Sequence, residues 1–241
     1  MYKVPHGFGT LTNNGGGTYT GNWCKGVGNG VGRYSTKNRF KYEGYFYKDK
    51  QHSYGIEIEN GYSLEAIEEV LNKYEGEYYH GVKTGIGIIE NKDYIYCGDF
   101  EENNINGFGE ILFKSNQKSY IGEWKNNKMH GIGALFWKNG NSYYGNFIYN
   151  SREGFGIFST EKSIFIGNWE NSKLEKEGII IDINEKTKKL IKFENSKIIK
   201  EIPGEENRLY ITIDAYNIID FIEEIKKEYF KEKSLDISKI V

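Results

Sequence analysis

One spacing governs what this chain can fold into. An aromatic residue is followed by glycine two positions later, a second aromatic at four, and glycines at eleven and thirteen. Tyr120-Ile121-Gly122-Glu123-Trp124, then Gly131-Ile132-Gly133, is the clearest copy. Tyr19, Gly21, Trp23, Gly30 and Gly32 satisfy it, as do Tyr74, Gly76, Tyr78, Gly85 and Gly87. So do Tyr96, Gly98, Phe100, Gly107 and Gly109, and Tyr143, Gly145, Phe147, Gly154 and Gly156. Two copies are incomplete: Tyr42, Gly44, Phe46 and Gly55 carry Ser53 at offset 11, and Phe165, Gly167, Trp169 and Gly178 carry Lys176 there. Copies start at 19, 42, 74, 96, 120, 143 and 165, so the intervals are 23, 32, 22, 24, 23 and 22 residues. Such regularity is the mark of a repeat architecture, and only the second interval holds an insertion.

Side chains alternate along a strand, so offsets 0, 2 and 4 share one face, and the glycines at 11 and 13 share a face of the returning strand. A bare glycine leaves room for a large ring to lie over the backbone. Asn126-Asn127 and Asn103-Asn104 fall between the strands of a copy, where left-handed conformations close a tight hairpin. Asn139-Gly140 joins one copy to the next. Composition agrees: 30 glycines and 20 tyrosines in 241 residues, with only two prolines. A hairpin of this size cannot bury its own aromatic face and must stack on its neighbours.

This pattern resembles the MORN (membrane occupation and recognition nexus) repeat, Tyr-x-Gly-x-Trp-x-x-Gly-x-x-x-Gly-x-Gly, over residues 6 to about 178. The resemblance implies an all-β, elongated, single-layer antiparallel meander. Its expected parts are a repeat array over 1–178, comprising a half repeat and seven full ones, then a degenerate closing hairpin over 179–206 and a helical tail over 207–241. The resemblance further implies a structural scaffold making protein–protein contacts, as in radial-spoke components of the ciliary axoneme and cortical cytoskeletal proteins of protists. A peripheral membrane tether binding acidic phospholipids is the alternative. An enzyme accessory region is a third, since such repeats also precede lipid-kinase and methyltransferase domains; residues 179–241 carry no catalytic motif of either.

The ends and the insertion depart from the pattern. His6-Gly7-Phe8-Gly9 matches only the second half of a copy. The first strand is therefore expected either to offer an edge to a partner strand or to be covered by residues 1–5. The insertion, about 57–73, reads as a short helix from Ser63 to Asn72, capped by Ser63 and striped by Leu64, Ile67 and Leu71. Ile179–Ile183 and Leu190–Phe193 read as the closing hairpin. Between Asp214 and Glu232 an amphipathic helix is predicted, with Ile218, Phe221, Ile222, Ile225 and Tyr229 as a capping or docking face. Lys186, Lys188, Lys189, Lys192, Lys197 and Lys200 form a basic stretch diluted by Glu185, Glu194 and Glu201, which favours a solvated surface over lipid contact.

No catalytic residue, cofactor or metal site is assigned from the sequence. His6, His52 and His130 all stand at offset 10, in separate hairpins, and His80 lies in a turn. Cys24 and Cys97 are too few for a disulfide framework. Gly26-Val27-Gly28-Asn29-Gly30 lacks the helix and lysine of a phosphate loop, and Lys83-Thr84 lacks the preceding glycine. The charge is balanced at 32 basic against 34 acidic residues, which argues against nucleic acid as a partner. With neither a signal-like apolar run nor a membrane-span-length one, the expected location is cytoplasmic, and the family resemblance implies the cytoskeleton, including the cilium or axoneme. The candidate partner groove is the aromatic stripe: Tyr19, Trp23, Tyr42, Phe46, Tyr74, Tyr78, Tyr96, Phe100, Tyr120, Trp124, Tyr143, Phe147, Phe165 and Trp169. The competing reading makes these rings the core.

Overall fold

A computed structural model describes residues 4–37, 40–62, 68–203 and 215–233. Strands alternate with tight turns along the chain as an open antiparallel meander, and two compact units divide it, Met1–His130 and Gly131–Val241. The first unit carries β1 (Gly7–Thr12), β2 (Thr18–Cys24), β3 (Val27–Ser35), β4 (Phe40–Tyr47), β5 (Lys50–Tyr62), β6 (Glu68–Tyr79), β7 (Val82–Asn91), β8 (Tyr94–Glu101), β9 (Asn104–Phe113) and β10 (Lys118–Lys125). Each pairs with the next. The second unit begins within β11 (Lys128–Phe136), at Gly131; β11, β12 (Ser142–Ile148), β13 (Ser151–Ser159), β14 (Ser163–Glu170), β15 (Lys173–Asp182), β16 (Thr187–Glu194) and β17 (Lys197–Ile202) pair likewise, and helix α1 (Ala215–Lys233) follows.

The glycines set the register. Gly9, Gly21, Gly32, Gly44, Gly55, Gly76, Gly87, Gly98, Gly109 and Gly122 stand opposite one another from strand to strand in the first unit. Gly133, Gly145, Gly156, Gly167 and Gly178 do the same in the second. The offset-0 tyrosine lies over this ladder. A Cβ added at Gly87 would sit 2.7 Å from the Tyr74 ring, and one at Gly44 would sit 2.6 Å from the Tyr42 hydroxyl. Glycine here is a requirement of close approach.

Beyond each glycine pair within a hairpin the ladder shifts: Gly98 faces Gly109, but Phe100 faces Ile105, leaving two extra residues on the returning strand. The same bulge follows Gly21, Gly44, Gly76, Gly145 and Gly167. The offset-11 residue inside it takes a left-handed conformation, with φ of 58° at Gly85 and 113° at Gly107. Ser53 at 55° and Lys176 at 64° adopt it without being glycine. The bulge also frees the offset-3 carbonyl, which accepts from the tyrosine hydroxyl: Tyr74 donates to the carbonyl of Glu77 at 3.0 Å, Tyr96 to Asp99 at 3.1 Å and Tyr143 to Asn146 at 3.2 Å.

Hairpin turns have two consecutive left-handed residues, as in Asn126-Asn127 (50° and 63°) and Asn171-Ser172 (50° and 65°), the type I′ geometry that suits twisted strands. They are also tied to the preceding hairpin. The Asn127 amide donates to the Ile105 carbonyl at 2.9 Å, and the Ile105 amide donates back to Asn127 Oδ1 at 2.8 Å. Asp49 with Gly28, Asn103 with Lys83, Ser172 with Arg152 and Ser196 with Leu174 repeat the exchange. Gly26 makes only the backbone half, with Pro5, whose nitrogen has no hydrogen to return.

The insertion differs from expectation. It lengthens the β5–β6 hairpin: Glu59 pairs with Asn72, Asn60 with Val70 and Tyr62 with Glu68. Of the expected helix, Ser63, Leu64 and Ile67 lie outside the described residues; 68–72 is strand, and Leu71 is exposed. A helix of about ten residues is marginal alone, whereas the lengthened ladder gives its backbone partners in register. The tail closes differently from the array. Ile219 and Ile222 of α1 are buried against Ile164, Ile166, Ile179, Ile181 and Leu190, and Ile218 packs beside them. β1 pairs only with β2 among the described strands, and residues 1–3 lie outside the description.

Candidate functional site

Offsets 0 and 4 build a continuous file of rings on one face. From Trp23 the file in the first unit runs through Tyr19, Phe46, Tyr42, Tyr78, Tyr74, Phe100, Tyr96 and Trp124 to Tyr120. Centroids lie 4.8–5.5 Å apart and planes meet at 84–89°. Edge-to-face pairs of this kind contribute about 0.5–1.5 kcal/mol each beyond area burial. In the second unit Phe147, Tyr143 and Trp169 repeat the motif, and Phe158, at offset 15, links Trp169 to Phe165 through wider contacts of 6.1 Å, the latter tilted at 37°. Trp124 Nε1 donates to the Gly109 carbonyl at 3.0 Å and Trp23 Nε1 to that of Gly9 at 3.1 Å. Of the candidate groove residues, twelve are buried; Trp23 and Phe165 are half-buried.

Cations cover part of the remaining ring surface. Lys83 Nζ lies 4.6 Å from the Tyr74 centroid and 2.8 Å from a Glu57 oxygen, and Tyr78 donates to Glu57 at 3.1 Å. The Arg152 guanidinium lies 4.3 Å from the Trp169 centroid and donates to the Ser172 carbonyl at 2.7 Å. Burial is the main cause that pushes the Tyr42 phenol up to about 12 and those of Tyr74, Tyr78, Tyr96, Tyr120 and Tyr143 higher still. The rings act as a neutral, packed layer.

The opposite face carries a feature that the sequence reading passed over. Offset 12, between the two glycines, holds Phe8, Val31, Tyr54, Ile86 and Phe108 in the first unit and Ile132 and Phe155 in the second. All seven are exposed. A side chain flanked by glycines on a returning strand must point away from the ring file, so the signal was present in period two alone. In register with this row stand Glu77 opposite Tyr54, Asp99 opposite Ile86 and Glu123 opposite Phe108. The Phe108 amide donates to Asp99 Oδ2 at 2.7 Å and the Ile86 amide to Glu77 Oε1 at 3.3 Å, so carboxylates satisfy amides next to the bulge.

Other singled-out residues fall in structural places. His52 and His80 belong to neighbouring hairpins, yet their rings meet at 5.1 Å with Tyr47 and Tyr79 around them, and the His80 amide donates to His52 Nδ1 at 3.3 Å. Spacing alone had kept those two histidines apart. Among the described residues no group of three or more His, Cys, Asp or Glu could hold a metal. Both cysteines are free, and burial pushes the Cys97 thiol up. Gly28 and Gly30 lie within β3, and Lys83-Thr84 within β7. No helix among the described residues is long and apolar enough to cross a membrane. On α1, Ile222 is buried, Ile218 and Ile225 are half-buried and Phe221 is exposed; the Tyr229 side chain lies outside the description.

Comparison with known proteins agrees with this geometry. Residues 42–60, 74–93, 96–118, 120–142 and 143–161 match the MORN repeat family. The chain is also similar to the human (Homo sapiens) ALS2 C-terminal-like protein, 30% identical over 95 residues, which is 39% of this chain and 10% of that protein. It therefore spans about a tenth of the length of that curated relative.

Proposed function

Because the chain carries MORN repeats, we propose that it is a non-enzymatic scaffold that holds other proteins along the back of its sheet. The observation that carries this reading is the exposed apolar row at offset 12, on the face opposite the rings in each unit, in every copy but the last, where Glu177 takes the position. Scattered single exposed apolar residues are ordinary, but a row in register across successive strands is a surface. The ring file, in this reading, is a stiff support with a rim at Trp23, and Phe221 extends the docking surface onto α1. The assembly proposed is cytoskeletal, a ciliary axoneme or a protist cortex. Co-sedimentation with detergent-extracted cytoskeleton is the test: the protein should pellet with it, and complete release into the soluble fraction would sink the cytoskeletal assignment.

A second reading, a peripheral tether on acidic phospholipids, draws on Lys188, Lys189 and Lys192 of β16. Lys189 already pairs with Glu201 at 3.2 Å, which weakens it. Flotation with phosphoinositide vesicles separates the two readings. A tether floats and loses binding when the three lysines are reversed to glutamate; a scaffold stays at the bottom of the gradient.

A further inference from the structure

We propose that the back of strands β5–β9 docks a cationic amphipathic helix of a partner protein, an inference that rests on the protein-docking reading above and names its partner. Tyr54, Ile86 and Phe108 are 54%, 62% and 55% exposed, and no described residue covers them. They recur on every second strand. Strands lie about 4.8 Å apart, so these side chains stand about 9.6 Å from one another. Seven residues of α-helix rise about 10.5 Å, so a helix crossing the strands with one apolar residue per heptad meets each in turn.

Charge selects the helix. Glu77 and Asp99 interleave with the apolar row, whereas Glu75 on the same face is already engaged by the Tyr54 hydroxyl at 2.6 Å. Lys73 and Lys114, cations of that face, are already paired with Glu75 at 3.1 Å and Glu90 at 2.9 Å. The surface therefore presents apolar positions bordered by carboxylates, which suits lysine or arginine flanking the partner's apolar stripe and repels anionic lipid.

The second unit gives a precedent for a helix on a sheet face opposite the rings, seated there on isoleucines outside the offset-12 row. There α1 has Ile219 and Ile222 buried against Ile166 and Ile179, while Lys226 Nζ reaches Ser159 Oγ at 3.0 Å. An apolar pair with a flanking lysine on a polar sheet acceptor is the arrangement proposed for the partner.

The test has two arms on the full chain. In the first, a fluorescent peptide of three heptads, each with one leucine and flanking lysines, is titrated by anisotropy against wild type and against Ile86→Ser/Phe108→Ser. Both changes are at exposed positions, and melting curves check that the fold is kept. The double variant should bind about tenfold more weakly, and added salt should weaken the wild-type complex. Equal binding to both proteins, equal binding of a peptide with glutamate for lysine, or preference for phosphatidylserine vesicles overturns the proposal. In the second, a photo-crosslinking amino acid replaces Phe108 in cells of the source and the crosslinked segment is sequenced. A basic segment with heptad-spaced apolar residues supports the proposal. A protein segment of other chemistry overturns it while leaving the scaffold reading intact, and crosslinks to lipid alone remove both.

Discussion

At the residue scale the repeat is a division of labour among glycines. Offsets 2 and 13 yield space to a tyrosine ring, and offset 11 yields a conformation. The two demands are separable by substitution. Gly87→Ala sets a methyl 2.7 Å from the Tyr74 ring and should destabilise by about 3 kcal/mol, read as a lower urea midpoint. Gly9→Ala, whose nearest neighbour would be 3.8 Å away, should fall within about 0.5 kcal/mol of wild type. Ser53→Gly and Lys176→Gly relieve left-handed strain of about 1–2 kcal/mol, against the entropy glycine adds to the unfolded chain. Each should therefore gain roughly 0.5 kcal/mol. Tyrosine burial sets the alkaline limit. Phenols whose folded pKa is raised, such as Tyr42 at about 12 against the usual 10.0, stabilise the fold fully below the unfolded value. That contribution is lost as pH climbs from 10 through about 12, so tyrosinate absorbance and loss of ellipticity should rise together in that window. Phenols that ionise near pH 10 with the sheet intact would show the rings to be solvent-accessible.

At the element scale, hairpins are held by their turns as well as by their ladders. Asn127 serves both a left-handed conformation and an acceptor for the Ile105 amide. Asn127→Gly keeps the first and removes the second, costing about 1 kcal/mol, while Asn127→Ala removes both and should cost about 2 kcal/mol. Equal costs would mean that the left-handed conformation carries no penalty, and an Asn127→Gly variant as stable as wild type would mean that the inter-hairpin tie contributes nothing. The insertion shows how local pattern yields to pairing. Leu64, Ile67 and Leu71 are spaced as on a helix, but a returning strand alongside Glu57–Tyr62 extends an existing ladder, and 68–72 follows it. Helix α1 survives as a helix because Ile219 and Ile222 have an apolar sheet surface to meet. Ile222→Ala should cost about 2–4 kcal/mol, with Phe221→Ala, at an exposed position, nearly silent.

At the scale of the whole molecule, each hairpin meets chiefly its neighbours, so stability should be regional rather than global. Hydrogen exchange of Ile222→Ala should show lost protection in β14–β16 and unchanged protection in β4–β8; a uniform loss would mean that the chain unfolds as one cooperative block. The two faces of the sheet also divide their work. One is filled by rings that the chain buries by itself, and the other keeps an exposed apolar row, with α1 of the second unit seated beside that row on Ile164, Ile166, Ile179, Ile181 and Leu190. That asymmetry is the physical ground for placing partners on the back.

The sequence by itself determined the repeat, the glycine ladder and which rings share one face, though not whether those rings are groove or core, because strand periodicity and glycine's missing side chain leave few other ways to arrange those offsets. It also exposed Ser53 and Lys176 as departures, without the reason. Only the tertiary structure decided that a two-residue bulge makes offset 11 left-handed, since a bulge depends on how two strands pair and not on either alone. Tertiary pairing likewise turned residues 68–72 into strand, brought His52 against His80, and distinguished rings that are covered from Tyr54, Ile86 and Phe108, which are not. Exposure belongs to whatever lies across the sheet, and no single strand contains that information.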